Sequence, residues 1–182
     1  MILDPLFYQR DTVEVAKDLV GKKIIRTING INLSGIITET EAYGFSDDPA
    51  SHAYRGKTQR NAPMFGPVGY AYVYFIYGNH FCFNIVARAE NQIAGAVLIR
   101  AIQPIEGIEL MSYYRQQKDI RILTNGPGKL TQALHITKQH NYMNVMQKGE
   151  LYVTAGVIPD TICATPRIGI SVGQDKLWRF II

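Results

Sequence analysis

Val13, Ala16, Leu19 and Val20 recur at the spacing of one helix face. They predict a helix from about Thr12 to Val20, with Asp11 as its N-cap and Gly21 as its stop. The pattern then turns to strand over Lys23–Ile28. Asn29-Gly30 follows, a hairpin signal because both residues tolerate positive φ. The returning strand runs from Ile31 to about Tyr43. A polar loop from Gly44 to roughly Gly66 comes next, and after it an aromatic and β-branched run, Gly69–Tyr77, that favours strand. Gly78-Asn79 suits a tight turn, and His80–Val86 is the return. Ala94–Ile102 reads as a further strand. Gln103-Pro104 is expected to open an amphipathic helix with Ile105, Ile108, Met111 and Tyr114 turned inward. Asn125 is placed as the cap of a short helix reaching about His135, and short strands are expected near Glu150–Ala155 and Arg167–Val172.

These elements add up to an α+β fold: a single mixed domain, residues 1–182, around a largely antiparallel curved β-sheet. The chain shows no repeat, low-complexity segment or linker to divide it. At 182 residues it is long enough for one sizeable core, and with 47% hydrophobic and 19% charged residues it has the balance of a folded protein rather than a disordered one. The net charge of +4 permits a polyanionic partner without requiring one. Two cysteines, Cys82 and Cys163, make no disulfide framework and are expected to be buried, reduced thiols. There is no signal-peptide pattern and no apolar stretch of membrane-spanning length, so a soluble cytoplasmic protein is expected, nucleoid-associated if bacterial. No metal-ligand spacing is present, and neither a metal nor a cofactor is expected.

Several residues have side chains that could do chemistry. In a strand, Glu39, Glu41 and Tyr43 share one face and lead into a long loop, a common setting for functional groups and also for a plain solvated strand end. Tyr70, Tyr72 and Tyr74 alternate along one face of the aromatic run, with Phe75 and Tyr77 on the other. Most such tyrosines serve packing. Tyr77 directly precedes the turn, where there is little core to pack against, and an aromatic there could wedge between stacked bases. Asn84 is a polar side chain in an apolar strand and serves either the fold or a ligand. His52 is a lone loop histidine. Arg55, Lys57, Arg60 and Asn61 make the loop basic and polar, suited to solubility or to phosphate. Gly126-Pro-Gly-Lys129 could offer backbone N–H groups and one lysine to a phosphate, or could simply be a helix cap with turn glycines; it lacks the P-loop spacing.

Taken in order, the segments Ala16–Lys22, Ile37–Tyr43, Ala50-Ser-His52, Thr58–Asn61, Met64-Phe65, Tyr72–Gly78, Phe81–Asn84, Val97–Arg100 and Gly126–Leu130 resemble one family. It is that of the alkyladenine (3-methyladenine) DNA glycosylases of the mammalian-enzyme type, also found in many bacteria. The match spans most of the chain. It implies a monofunctional hydrolase that flips alkylated or deaminated purines (3-methyladenine, 7-methylguanine, hypoxanthine, ethenoadenine) out of duplex DNA and initiates base excision repair. By this resemblance Glu41 is the general base that activates water, and Arg100 holds that water and the carboxylate network. Tyr43, His52, Tyr74 and Asn84 line the base pocket. The tyrosines stack on the base, and Asn84 disfavours the exocyclic amine of guanine. Tyr77, at the tip of a protruding β-hairpin, enters the duplex. Arg55, Arg60 and Lys129 are candidate contacts to the DNA backbone. The partner is double-stranded DNA, and a monomer suffices. The family usually carries a further short tail beyond Arg179-Phe180, whereas this chain stops at Ile182.

The chemistry suits those residue types. Methylation at N3 or N7 leaves the purine cationic, so it departs as a neutral group. Tyrosine faces attract a cationic ring by about 0.5–2 kcal/mol per contact, and an ionised carboxylate can take a proton from water. Two other readings use the same residues. A non-catalytic binding module would use the tyrosines for stacking but has no use for a carboxylate facing phosphate. A glycosidase would need carboxylates flanking its substrate, whereas Glu39 and Glu41 lie about 7 Å apart by strand rise and point in parallel. Nothing implies a lysine Schiff base, so no strand cleavage is expected.

Overall fold

The structure is a computed structural model that describes residues 1–76, 78 and 80–182. Its strands are β1 (Lys23–Ile28), β2 (Ile31–Tyr43), β3 (Ala71–Ile76), β4 (His80–Val86), β5 (Ala96–Glu106), β6 (Leu151–Thr154), β7 (Cys163–Thr165) and β8 (Arg179–Ile181). All pair antiparallel in one sheet, in the order β3-β4-β5-β2-β1-β6, and the sheet curls into a half-barrel. β2 is the spine. Its first half pairs with β1 and Glu39–Glu41 with β8, while β5 runs along its other edge. Position 41 therefore lies in a strand held on both sides, opposite Leu98 and Arg179.

Among the described residues four α-helices complete the fold: α1 (Pro5–Tyr8), α2 (Thr12–Leu19), α3 (Ile108–Arg115) and α4 (Pro127–Ala133). Asp11 caps α2 as its sequence predicts, accepting hydrogen bonds from the N–H groups of Val13 and Glu14. Val15, Ala16 and Leu19 of α2 join Ile24, Ile37, Phe83, Ile85, Ile99, Met111 and Leu130 in the main core. The hydroxyl of Thr40 donates to the Ala16 carbonyl, tying α2 to the strand that carries Glu41. The β3–β4 hairpin projects beyond the sheet: only Asn84–Val86 of β4 pair with β5, and the rest of β4 has β3 alone as a strand neighbour. α4 packs against it, with Thr131 Oγ1 donating to the Phe81 carbonyl.

Four sequence expectations are corrected. No helix starts at Gln103-Pro104. β5 continues through Pro104, which pairs with Gly35, to Glu106, and Ile105 is exposed instead of inward. A proline is tolerated there because β4 pairs only with Ala96–Leu98, leaving this end of β5 with one strand neighbour. The helix begins after Gly107, whose φ of 73° turns the chain. Its Met111 is buried, and Ile108 and Tyr114 pack on the core as expected. Second, Arg167–Val172 is not a strand: the backbone turns through Gly169 at φ 77°, and the Arg167 side chain is drawn inward as an anchor. Third, Asn125 does not cap α4; Gly126 stands at that position, and the Asn125 side chain accepts from Lys129. Fourth, Cys82 is buried but Cys163 is exposed.

Candidate active site

Strands β2–β5 and the adjoining loops line a cavity of about 320 Å³, near the lower end of the roughly 300–1,000 Å³ range of small-molecule sites. Tyr72 and Tyr74 of β3 and Asn84 of β4 supply one side, Tyr43 and His52 another, and Ile168–Ile170 a third. The strand period accounts for the grouping. Tyr72 and Tyr74 are two apart and share a face, and Tyr72 stands opposite Asn84 in the ladder. Their rings lie 5.1 Å apart, and His52 packs edge-on against Tyr74 at 4.7 Å.

Glu41 is 0% exposed and sits directly behind this lining. Its Oε2 accepts from the Tyr43 hydroxyl at 2.8 Å and from Arg100 Nη1 at 3.2 Å, and its Oε1 accepts from the Ile168 backbone N–H at 2.7 Å. All three donors belong to residues that line the cavity. Three donors and no acceptor suit an ionised carboxylate. Arg100 also donates through Nε to Glu39 Oε1 at 2.7 Å, and Arg179 Nε reaches the same oxygen at 2.6 Å. Burial alone would lower the affinity of Arg100 for its proton, but the carboxylates of Glu41 and Glu39 outweigh it and raise the pKa above the ordinary value. The Tyr43 hydroxyl is pushed well above the usual phenol range, first by burial and then by the charge of Glu41, so it stays a neutral donor.

His52 is exposed as a residue, yet its ring is packed on the tyrosines and its Nδ1 lies 3.0 Å from the Tyr72 hydroxyl. Desolvation by that packing lowers its pKa below the ordinary 6.5, and the charge of Arg60 adds to the shift. At neutral pH the imidazole is therefore uncharged and does not repel a cationic ligand. Asn84 is buried, and its Nδ2 donates to the Tyr72 carbonyl at 3.0 Å. A carbonyl can only accept, so the amide nitrogen faces the strand and the amide oxygen faces away from it.

The chain matches the family of methylpurine-DNA glycosylases (MPG) over residues 6–182. A Carboxydothermus hydrogenoformans protein is 49% identical over all of this chain and 95% of its own length. A Clostridium botulinum protein is 45% identical over all of this chain and 96% of its own, and one from Clostridium acetobutylicum is 46% identical over 97% and 91%. All three bear the name "Putative 3-methyladenine DNA glycosylase".

The chain belongs to the methylpurine-DNA glycosylase family. It is a DNA repair glycosylase, a hydrolase of N-glycosyl bonds whose substrate is DNA. No described helix is long and apolar enough to cross a membrane.

The glycosylase fold gathers Glu41, Arg100, Tyr43, His52, Tyr74 and Asn84 around one cavity. The candidate backbone contacts are placed differently from one another. Arg55 is exposed in the loop. Arg60 turns to the hairpin, donating to the Phe75 carbonyl at 3.1 Å, with its guanidinium 5.6 Å from the Tyr74 ring centre. Lys129 pairs with Asn125 beside Gly128, a residue of the cavity wall. Asn61 is buried and structural: its Nδ2 donates to the carbonyls of His52 and Gly56, setting the loop that holds His52. Tyr77 lies outside the described residues. Sequence reasoning took Tyr72 for packing and missed Ile168–Ile170 altogether. The alternation of Tyr72 with Tyr74 was a signal for the first. A backbone N–H contributed by a loop leaves no signal in residue identity.

Proposed function

We propose that this glycosylase flips alkylated or deaminated purines out of duplex DNA and hydrolyses their bond to the sugar with a water activated by Glu41. The observation that carries this reading is a fully buried carboxylate held by three donors directly behind an aromatic cavity. Tyr43 and Tyr74 would stack on the extruded base, with His52 and Asn84 at its polar edges. As the N-glycosidic bond breaks, the base leaves with the bonding electrons and the sugar becomes cationic. Nearby negative charge on Glu41 stabilises that cation, as in glycoside hydrolysis. Water adds to the sugar carbon and passes its proton to Glu41, leaving an abasic site. 3-Methyladenine and 7-methylguanine are cationic in DNA and depart as neutral bases, whereas hypoxanthine and ethenoadenine are neutral in DNA and must gain a proton as they depart, balancing the one that water gives up. Extrusion costs a few kcal/mol, less at a damaged pair, and Tyr77 entering the stack would offset part of it. A single copy carries every residue of the site, so a monomer is sufficient. Repair then continues from the abasic site by base excision.

The test is base release from duplexes carrying one hypoxanthine or one ethenoadenine, and release of 3-methyladenine from alkylated genomic DNA. Alkali-dependent strand breakage, with no protein–DNA adduct trapped by borohydride, is expected. Lesion binding without release from any of these substrates would contradict the reading and leave a damage-binding module.

A further inference from the structure

Arg167 is a buried cation one residue from the cavity wall at Ile168, and the proposed reaction does not use it. Its guanidinium forms a bidentate pair with Asp48, Nη1 to Oδ2 and Nη2 to Oδ1 at 2.7 Å each, and both side chains are 0% exposed. Nη1 also donates to the Ala42 carbonyl at 2.9 Å, next to Glu41 in β2. The guanidinium carbon stands 4.8 Å from the Tyr43 ring centre and 5.2 Å from that of Trp178. Asp48 in turn accepts from the N–H groups of Gly44 and Ala50, fixing the start of the loop that carries His52. One planar fork thus joins the Glu41 strand, the His52 loop, the Tyr43 ring and the segment that begins at Arg167.

Stability alone is a weak account of this pair. Two charges removed from water cost more than an apolar contact of similar volume, and Arg167 Nε is buried without a partner among the described residues. The arrangement accounts better for placement. The residue after Arg167 is Ile168, whose N–H holds Glu41 Oε1 at 2.7 Å. Ile168 itself is 49% exposed and is followed by Gly169 at φ 77°, so the segment has little apolar burial of its own to set its position.

We propose that Arg167, locked by Asp48, is a positioning residue for the reaction, fixing the Ile168 N–H against Glu41 and the Tyr43 ring against the base. The inference rests on the reading of Glu41 as the base. Lysine keeps the charge of Arg167 but not the fork, and asparagine keeps the shape of Asp48 but not its charge. The experiment compares Arg167→Lys, Asp48→Asn and Glu41→Gln with the wild type in single-turnover excision of ethenoadenine, lesion-duplex affinity and thermal unfolding. The two positioning variants should lose excision rate by about 10- to 100-fold, the cost of a misplacement on the order of 1 Å, while the protein stays folded at the assay temperature and affinity changes by only a few-fold. The loss should fall on the single-turnover rate and not on the half-saturating DNA concentration, a split that a merely structural defect would not produce. A rate loss matched by lost folded fraction or lost lesion affinity would overturn the proposal, as would an unchanged rate. If Glu41→Gln excises at the wild-type rate, the reading of Glu41 fails. If Glu41→Gln is inactive and the positioning variants behave as wild type, only the role of Arg167 fails.

Discussion

A carboxylate removed from water survives only where its hydrogen-bond capacity is met, and Glu41 meets that condition with one charged and two neutral donors. Arg100 is shared with Glu39, so its plane is set from two sides, and Tyr43 is kept from ionising first by burial and then by the same carboxylate it serves. Away from the site, His140 shows the opposite use of burial. Its pKa is lowered, first by desolvation and then by the charge of Arg26, and its Nδ1 accepts from the Thr137 N–H in a capping box. The folded state holds this imidazole neutral, whereas the unfolded chain takes up a proton near pH 6.5. Below that pH the unfolded state binds more protons, and stability falls until the folded-state pKa is passed. The urea midpoint should therefore decline as pH drops from 7.5 to 5.5, and His140→Gln should flatten part of that slope; a wild-type profile without slope would contradict this. The sequence named Glu41 and Asn84 as candidates because their polar side chains interrupt strand patterns, and the fold brings both to the cavity that the proposed reaction uses. The Ile168 donor was not legible, because a backbone N–H belongs to every residue except proline.

Among the elements, the switch from β5 to α3 shows where pattern reading failed. Gln103-Pro104 has the look of a helix start, but the ladder with β2 continues through both residues. The turn is made at Gly107, where a side chain would meet the Asn32 carbonyl oxygen at 2.7 Å and the Leu33 Cα at 3.0 Å. Gly107→Ala adds both that clash and the cost of a positive φ, so it should destabilise the fold by about 1–3 kcal/mol in denaturant unfolding; a change under about 0.5 kcal/mol would contradict the assignment. Tertiary pairing overrode a local signal there. At Arg167–Val172 a burial demand overrode another, since the arginine had to reach Asp48. The β1–β2 hairpin, by contrast, was legible from Asn29-Gly30, and the β3–β4 pairing from alternation, while the Gly78-Asn79 turn expected between them falls partly outside the described residues. The β3–β4 hairpin extends past β5, and Tyr77 is the residue proposed to enter the duplex. Tyr77→Ala should weaken lesion binding and excision by roughly 1–3 kcal/mol, the scale of base–aromatic stacking. Unchanged affinity and single-turnover rate would reject the wedge.

For the molecule as a whole, the net charge of +4 indicated only that a polyanion was permitted. The family match identifies DNA as the substrate; charge alone did not. Of the candidate phosphate contacts, Arg60 is engaged with the hairpin and Lys129 with Asn125, and Arg55 is exposed. Arg55→Ala should weaken duplex binding similarly for damaged and undamaged DNA and lower the salt slope by about 1, whereas a lesion-specific effect would argue against a phosphate contact. The central claim is that one buried carboxylate separates binding from hydrolysis. It is tested most directly by Glu41→Gln on a duplex with a single ethenoadenine, with affinity and single-turnover release measured on the same preparation. Binding at or above the wild-type level with release abolished is the predicted result. Release at the wild-type rate would contradict the account.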